Sequence, residues 1–393
     1  MMKKLVISIL LTIIVFPVMA QSEVETILKE IETNSTTLSA LREQMEAQKL
    51  GNRTGIYLAN PEVEFNYLWG SPSPIGNRTD INVTQSFDFP TVYGHRSKLS
   101  KLENANVDLM YKSERINLLL RAKQVCIELA YYNALAKEYA GRLANAQRIA
   151  ETYQARFEKG DANVLENNKA QLNLTTVSNE MNRIEIERSS LLSELKTLNG
   201  GKDISFTVFE ITNETLPLNF DDWYASAEPK SPVLQYVRGQ IEIGQQQVKL
   251  NSAMGLPKFK AGYMSEKVVG ERFQGITVGV SIPLWENKNR VRQAKAQVRA
   301  AETALEDTKT QFYNRLQNLF MRSSGLQENA SRYRNSLLSY SNDVLLKRAL
   351  DSGEISLLNY LLEIEYYYDA MNKVLESERD LGLSLAELWA VEL

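Results

Sequence analysis

The chain has 393 residues, a formal charge of −3, one His (His95) and one Cys (Cys126). A single cysteine excludes a disulfide framework, and one His beside one Cys leaves almost no room for zinc or iron chemistry. The slightly negative balance excludes the basic face a nucleic-acid binder needs, and only 19 Gly and 10 Pro leave long tracts free of helix breakers.

Residues 1–20 read as a secretory signal. Lys3 and Lys4 precede an apolar run from Leu5 to Val18 that is interrupted by Ser8 and Thr12, with Pro17 near its end. Val18-Met19-Ala20 fits the small-residue cleavage rule, so Gln21 is the expected start of the mature chain. The run is shorter than the ~20 residues of a comfortable helical span. No Cys stands at the cleavage point to carry a lipid. No other apolar run is long enough to span, so a membrane crossing by this chain falls to strands.

The rest of the chain is a repeat. Arg42, Gln44, Glu46 and Pro61 are matched by Arg238, Gln240, Glu242 and Pro257, each 196 residues on. Pro90 pairs with Pro283 and Gly160 with Gly353, each 193 residues on. Two preserved spacings in one order point to a duplicated unit. The first repeat, 21–198, is expected to hold a helix over about 23–52, strands at 61–69 and 79–89, a long helix at 97–159 and a return helix at 165–198. An inter-repeat segment, 199–230, carries turn residues at both ends and reads as a small mixed element. The second repeat, 231–393, is expected to hold a helix over 232–254, strands at 257–266 and 273–283, a long helix at 286–352 and a return helix at 358–392.

The strand segments alternate strictly. Val63, Phe65, Tyr67 and Trp69 share one parity, as do Ile81 and Val83, Phe259 and Tyr263, and Ile276, Val278, Val280 and Ile282. Such alternation fits a soluble sheet over a core as well as a membrane sheet. Four strands cannot close a barrel, and no further strand pairs occur to cover the apolar face. Tyr67 and Trp69 stand at one strand end, as an interfacial girdle requires. Three copies would supply twelve strands, enough for an open lumen.

The tract 286–352 would make ~100 Å of helix at 1.5 Å per residue. Its seven-residue ladder runs Val291, Val298, Leu305, Phe312, Leu319, Leu326, Tyr333 and Tyr340, which predicts coiled-coil packing. Gly160 and Gly353 fit helix C-termini, and Asp161 and Asn163, with Glu354 and Ser356, can start the return helices. These breaks are either plain helix-hairpin turns or tips that touch a partner or form a gate. His95 follows Gly94 near a helix start and needs only a capping or interfacial role. Cys126 lies in a helical apolar stripe and reads as core, and Tyr366, Tyr367 and Tyr368 as packing between helices. No second His, Cys cluster or phosphate loop supports catalysis, so no catalytic residue, metal site or cofactor is expected.

The signal, the duplicated plan, "VSIPL…NKNR…A" and "RFEKGDANVLE…AQLNL" resemble TolC-type outer-membrane efflux proteins, and "GVSIPLWENKNR" is similar to the cation-efflux branch that works with RND pumps. The resemblance covers essentially the whole mature chain. It implies a mostly α fold with membrane β: a homotrimer with a twelve-strand barrel in the outer membrane of a Gram-negative bacterium, continued by a periplasmic helical tunnel. It implies a periplasmic adaptor, an inner-membrane pump and outer-membrane lipid as partners, and small molecules or metal cations as cargo. It places Gly160, Asp161, Val164, Leu165, Gly353, Glu354, Ile355 and Leu358 at adaptor-docking tips. Glu158, Asp161, Asp351 and Glu354 would form a cation-attracting lumen ring or remain solvated turn residues. Arg156 and Arg348 precede the turns and would latch them through ion pairs. The sequence departs from many cation-efflux relatives in having Gln21 where they carry a lipidated Cys, and in lacking His- and Met-rich tracts. An outer-membrane component of type I protein secretion shares the fold and stays open as an alternative. A periplasmic adaptor scaffold would be expected to have one hairpin rather than two.

Overall fold

The computed structural model describes residues 23–210 and 214–393. The expected signal at 1–20 and the start at Gln21 lie outside the described residues. In the first half, α1 (23–34) and α2 (Thr36–Gly51) precede a hairpin of β1 (Glu62–Leu68) and β2 (Arg78–Phe87), followed by α3 (Pro90–Glu158) and α4 (Val164–Leu198). After α5 (Phe220–Ala227), α6 (Pro232–Ala253) leads into a second hairpin, β3 (Lys258–Val268) and β4 (Glu271–Ser281). Then come α7 (Arg290–Tyr340), α8 (Asp343–Asp351) and α9 (Leu357–Leu388). The chain divides into two compact units.

One unit comprises Leu41–Ser113 and Glu228–Gln311 and contains the whole sheet. The strands run antiparallel in the order β1-β2-β3-β4. Register keeps the apolar parity together: Val63 lies opposite Val83, Val83 opposite Tyr263, and Tyr263 opposite Ile276. A one-residue slip in any strand would move its apolar set to the other face. The β3–β4 turn places Val269 and Gly270 at φ 47° and 88°, the two left-handed positions of a type I′ hairpin. A β-branched residue is strained there.

Helix α3 starts at Pro90, seven residues before the expected start at 97. Proline suits the first helical position because its missing N–H is unpaired there in any case. Val92 and Leu99, seven residues apart, are then buried with Leu250 and Ala253 of α6. Helix α6 is capped by Ser231, whose side chain accepts from the Leu234 N–H, with Pro232 in its first turn. Its glycines allow close packing: a Cβ on Gly239 would meet Asn106 Oδ1 at 2.4 Å, and one on Gly244 would meet Val298 Cγ2 at 3.0 Å. His95 sits inside α3 rather than at its start, held by Gln246 Nε2 at 3.1 Å from its carbonyl oxygen and 3.0 Å from ring Nδ1.

The long helix expected over 286–352 is two helices. Residues 286–289 form turns instead, with Asn289 left-handed at φ 68° before α7 begins. A second interruption falls at Ser341 and Asn342. There the Ser341 hydroxyl donates to Asp343 Oδ1 at 2.9 Å, and Ser, Asn and Asp side chains compete with helical backbone bonds in this way. Helix α9 begins one residue before the expected 358, and residues Trp389–Glu392 turn into a short 3-10 helix.

The other unit comprises the described residues up to Ala40, with Glu114–Ala227 and Phe312–Leu393. The first helix expected over 23–52 is interrupted at Ser35, a buried residue whose hydroxyl accepts from the Leu38 N–H at the start of α2. One core joins Val24, Ile27 and Ile31 of α1 to Val125, Cys126 and Leu129 of α3, Leu191 and Leu195 of α4, and Phe206 and Val208 of the connecting segment. Burial pushes the Cys126 thiol up to about 12, so it stays protonated and behaves as a small core apolar group. The segment expected as a mixed element contributes α5. Its Phe220 and Trp223 pack with Leu316 and Leu319 of α7 and Leu385 and Leu388 of α9.

Candidate functional site: paired turns and an apolar sheet face

The two helix-hairpin turns lie in the same unit. At the first, Gly160 takes φ 80°; the Asp161 N–H donates to the Arg156 carbonyl and the Gly160 N–H to the Phe157 carbonyl. At the second, Gly353 takes φ 77°, with Glu354 donating to Ala349 and Gly353 to Leu350. Both are Schellman endings, in which a left-handed glycine lets the last carbonyls be satisfied. The return helices are capped by the expected Asn163 and Ser356, not by Asp161 or Glu354. Asn163 and Glu166 form a reciprocal capping box, while Ser356 accepts from the Asn359 N–H alone.

Both turns rest on one core. Ile149 and Tyr153 of α3 and Ala170 of α4 are buried with Leu357, Tyr360 and Ile364 of α9, and Ala162 and Ile355 of the turns pack against them. Ile355 is therefore half spent on this core, whereas Val164, Leu165 and Leu358 point outward and are exposed. Asp161, Glu158, Asp351 and Glu354 are exposed as well.

The two arginines read as latches make no ion pair among the described residues. Arg156 lies over the Tyr153 ring at 5.1 Å and donates to the Asp161 carbonyl of its own turn at 3.3 Å. Arg348 stands exposed on α8. The cross-link comes from a residue the sequence reading passed over: Arg148 Nη1 donates to Asp351 Oδ1 at 2.8 Å, joining α3 to α8. Asn145, one turn earlier, donates to the Tyr360 hydroxyl of α9 at 2.8 Å. Further along α3, buried Arg142 lies between the Tyr139 and Tyr368 rings at 4.4 and 4.3 Å and donates to Asn372 Oδ1 at 2.9 Å. Burial pushes the Arg142 pKa down. The only sequence signal for Arg142, Asn145 and Arg148 was polar residues at three-residue steps on an otherwise packed helix.

In the other unit, one sheet face is apolar and exposed. It carries Val63, Phe65, Tyr67, Ile81, Val83, Phe259, Tyr263, Ile276, Val278 and Val280, with Ile276 85% accessible. Burying a soluble core would have covered such a face, because apolar area in water costs roughly 25 cal/mol per Å². The opposite face carries Glu62, Glu64, Asp80, Asn82, Thr84, Lys260 and Glu266, and Arg78 there bridges Asp80 at 2.8 Å and Glu266 at 3.2 Å. Strands β3 and β4 are 11 residues each, within the ~9–11 of a tilted transmembrane strand. Among the described residues no helix is long and apolar enough to cross a membrane.

No protein-family model matches the sequence, and no curated protein matches it. Solved structures do. The Campylobacter jejuni CmeC outer membrane channel is 16% identical, with 94% of this chain and 85% of that one covered at a TM-score of 0.77. CusC, in structures that concern folding and transmembrane channel formation, is 14% identical over 94% and 92% of the two chains at 0.78. The Vibrio cholerae outer membrane protein VceC is 14% identical over 94% and 96% at 0.76. At such identities the likeness speaks for architecture. Over nearly its whole length, the chain has the TolC-like fold of these outer membrane channels.

Proposed function

We infer that the protein is the outer-membrane exit duct of a tripartite efflux system and has no enzymatic role. The observation that carries this is the four-stranded sheet with one continuous exposed apolar face and one polar face. Such a sheet is satisfied when its apolar face meets lipid and its edges are closed by copies of itself. A homotrimer supplies twelve strands, with the polar face toward the lumen and the helices in the periplasm. The two hairpin turns of the sheet lie at the strand ends away from the helices, which puts them outside the cell.

At the far ends of the long helices, exposed Val164, Leu165 and Leu358, with Gly160, Asp161, Gly353, Glu354 and the partly packed Ile355, offer a periplasmic adaptor a surface. That surface mixes apolar and acidic groups. Glu158, Asp161, Asp351 and Glu354 gather carboxylates around the tip, where they would attract cations. The adaptor would connect to an inner-membrane pump, for which an RND type is favoured by the likeness of "GVSIPLWENKNR" to that branch. Cargo would be small molecules or metal cations passing through a wide conduit without tight binding.

Fractionation tests the duct. The protein is expected in the outer membrane, as a trimer on native mass spectrometry, and as ion channels in planar bilayers. Recovery as a soluble periplasmic monomer would sink the reading. A deletion strain is expected to become sensitive to drugs or metals; loss of a secreted protein with unchanged sensitivity would instead mark the type I secretion alternative.

A further inference from the structure

The strands carry ten charged side chains, and register sorts them unequally. Glu62, Glu64, Arg78, Asp80, Lys258, Lys260, Glu266 and Glu271 stand on the polar face. The apolar face holds only Lys267 and Arg272. They lie directly opposite each other in that face's last row before the β3–β4 turn, one pair short of Val268–Glu271, beside Thr79 and Tyr67. Like charges placed directly opposite on one face are destabilising. Nothing acidic on that face offsets them: Arg272 Nε donates to the neutral Ser265 hydroxyl at 3.0 Å, and neither cation makes an ion pair among the described residues. A second copy pairing along the β4 edge would present β1, whose residues of the same parity are Val63, Phe65 and Tyr67. It brings no carboxylate either.

We propose that Lys267 and Arg272 form a binding site for the phosphate of an outer-leaflet glycolipid. This inference rests on the outer-membrane reading above. In that reading the row holding the two cations lies at the outer end of the apolar belt, at headgroup depth. The exposed Tyr67–Trp69 pair, with ring centroids 5.7 Å apart and edge to face, marks the same level. A phosphate there supplies the anion that neither the chain nor a second copy provides. A guanidinium and an ammonium suit it, the first by its donor fork and the second as a point charge. The lipid's acyl chains would then lie against Ile276, Val278 and Phe259 below.

The test uses the full chain purified from outer membranes and placed in phosphatidylcholine nanodiscs doped with either diphosphorylated or dephosphorylated lipid A, with retained glycolipid read by mass spectrometry. The wild type is expected to prefer the diphosphorylated form. The Lys267→Gln, Arg272→Gln double variant is expected to bind it on the order of 30-fold more weakly, from the typical contribution of two basic groups at a membrane surface. Arg78→Gln, on the opposite face, should leave retention unchanged. Equal retention of the two lipid forms by the wild type overturns the proposal without needing any variant to fold. So does an unchanged double variant, or an equal loss with Arg78→Gln. A wild type absent from the outer membrane would instead overturn the duct itself.

Discussion

The two hairpin turns are built alike and supported differently. Each ends a helix with a left-handed glycine and restarts the chain with a side-chain cap. Helix α3 reaches its turn without interruption and is buried along its length, through Leu119, Val125, Leu129, Leu135, Ile149 and Tyr153. Helix α7 carries the seven-residue ladder, but only to Leu326 is that ladder covered; Tyr333 and Tyr340 are exposed, and the helix stops at Tyr340. Helix α8, which carries the second turn, has no fully buried residue, and its N-terminal Asn342 makes no side-chain cap bond. Helical stability comes mainly from packing of an apolar face. The same local signals therefore give an unbroken helix up to the turn where apolar packing is continuous and a segmented approach where the packing thins.

The strongest way to break this comparison is to remove the shared core. Leu357→Ala or Ile149→Ala should each cost about 2–5 kcal/mol and raise hydrogen exchange at both turns, around 160–163 and 353–356. A rise confined to the turn on the mutated hairpin would show that the turns do not lean on one core. Next in size, Gly160→Ala and Gly353→Ala should each cost roughly 1–2 kcal/mol, the left-handed penalty for a residue with a Cβ. Both sites have open space for the new methyl, so the backbone alone sets the cost. Unequal losses in thermal unfolding would mean that the less buried α8 relaxes around the strain.

Smaller effects sharpen the contrast. Arg148→Ala removes a pair of half-exposed ions worth about 0–1 kcal/mol. Its expected signature is higher single-channel conductance with nearly unchanged stability. Replacing Arg156 and Arg348 by Ala should raise conductance less, because neither bridges the hairpins; a larger rise from that pair would return the latch to them. Smallest of all, Ser341→Ala with Asn342→Ala should gain a few tenths of a kcal/mol per residue in helix propensity. It should also slow exchange across 341–345 by letting α7 run into α8. No change there would place the cause of the break in missing packing rather than in the Ser-Asn-Asp side chains.

Much of the fold was legible because it is periodic or local. Strand parity placed Val63, Val83, Tyr263 and Ile276 on one face, and their neighbours across the sheet are those residues. The seven-residue ladder located the long helix but overrode the local message of Ser341-Asn342-Asp343. Helix α3 starts at Pro90 rather than at 97 because burial of Val92 against Leu250 and Ala253 draws the helix back to the proline, a long-range contact that the local pattern does not carry. The site was less legible. Arginines nearest the glycines looked like latches, yet the side chain that reaches across is Arg148, a full three turns back from Gly160 on α3.

The sequence by itself determined the turns, the caps and the two-faced strands, because each depends on dihedral preference, side-chain reach or alternation over a few residues. Only the tertiary structure decided which part of a ladder finds a partner, that Arg148 meets Asp351 from 203 residues away, and that two cations share the apolar face in one row. Those outcomes depend on where distant segments return in space, and a pair energy that falls off within a few ångströms leaves no trace in local pattern.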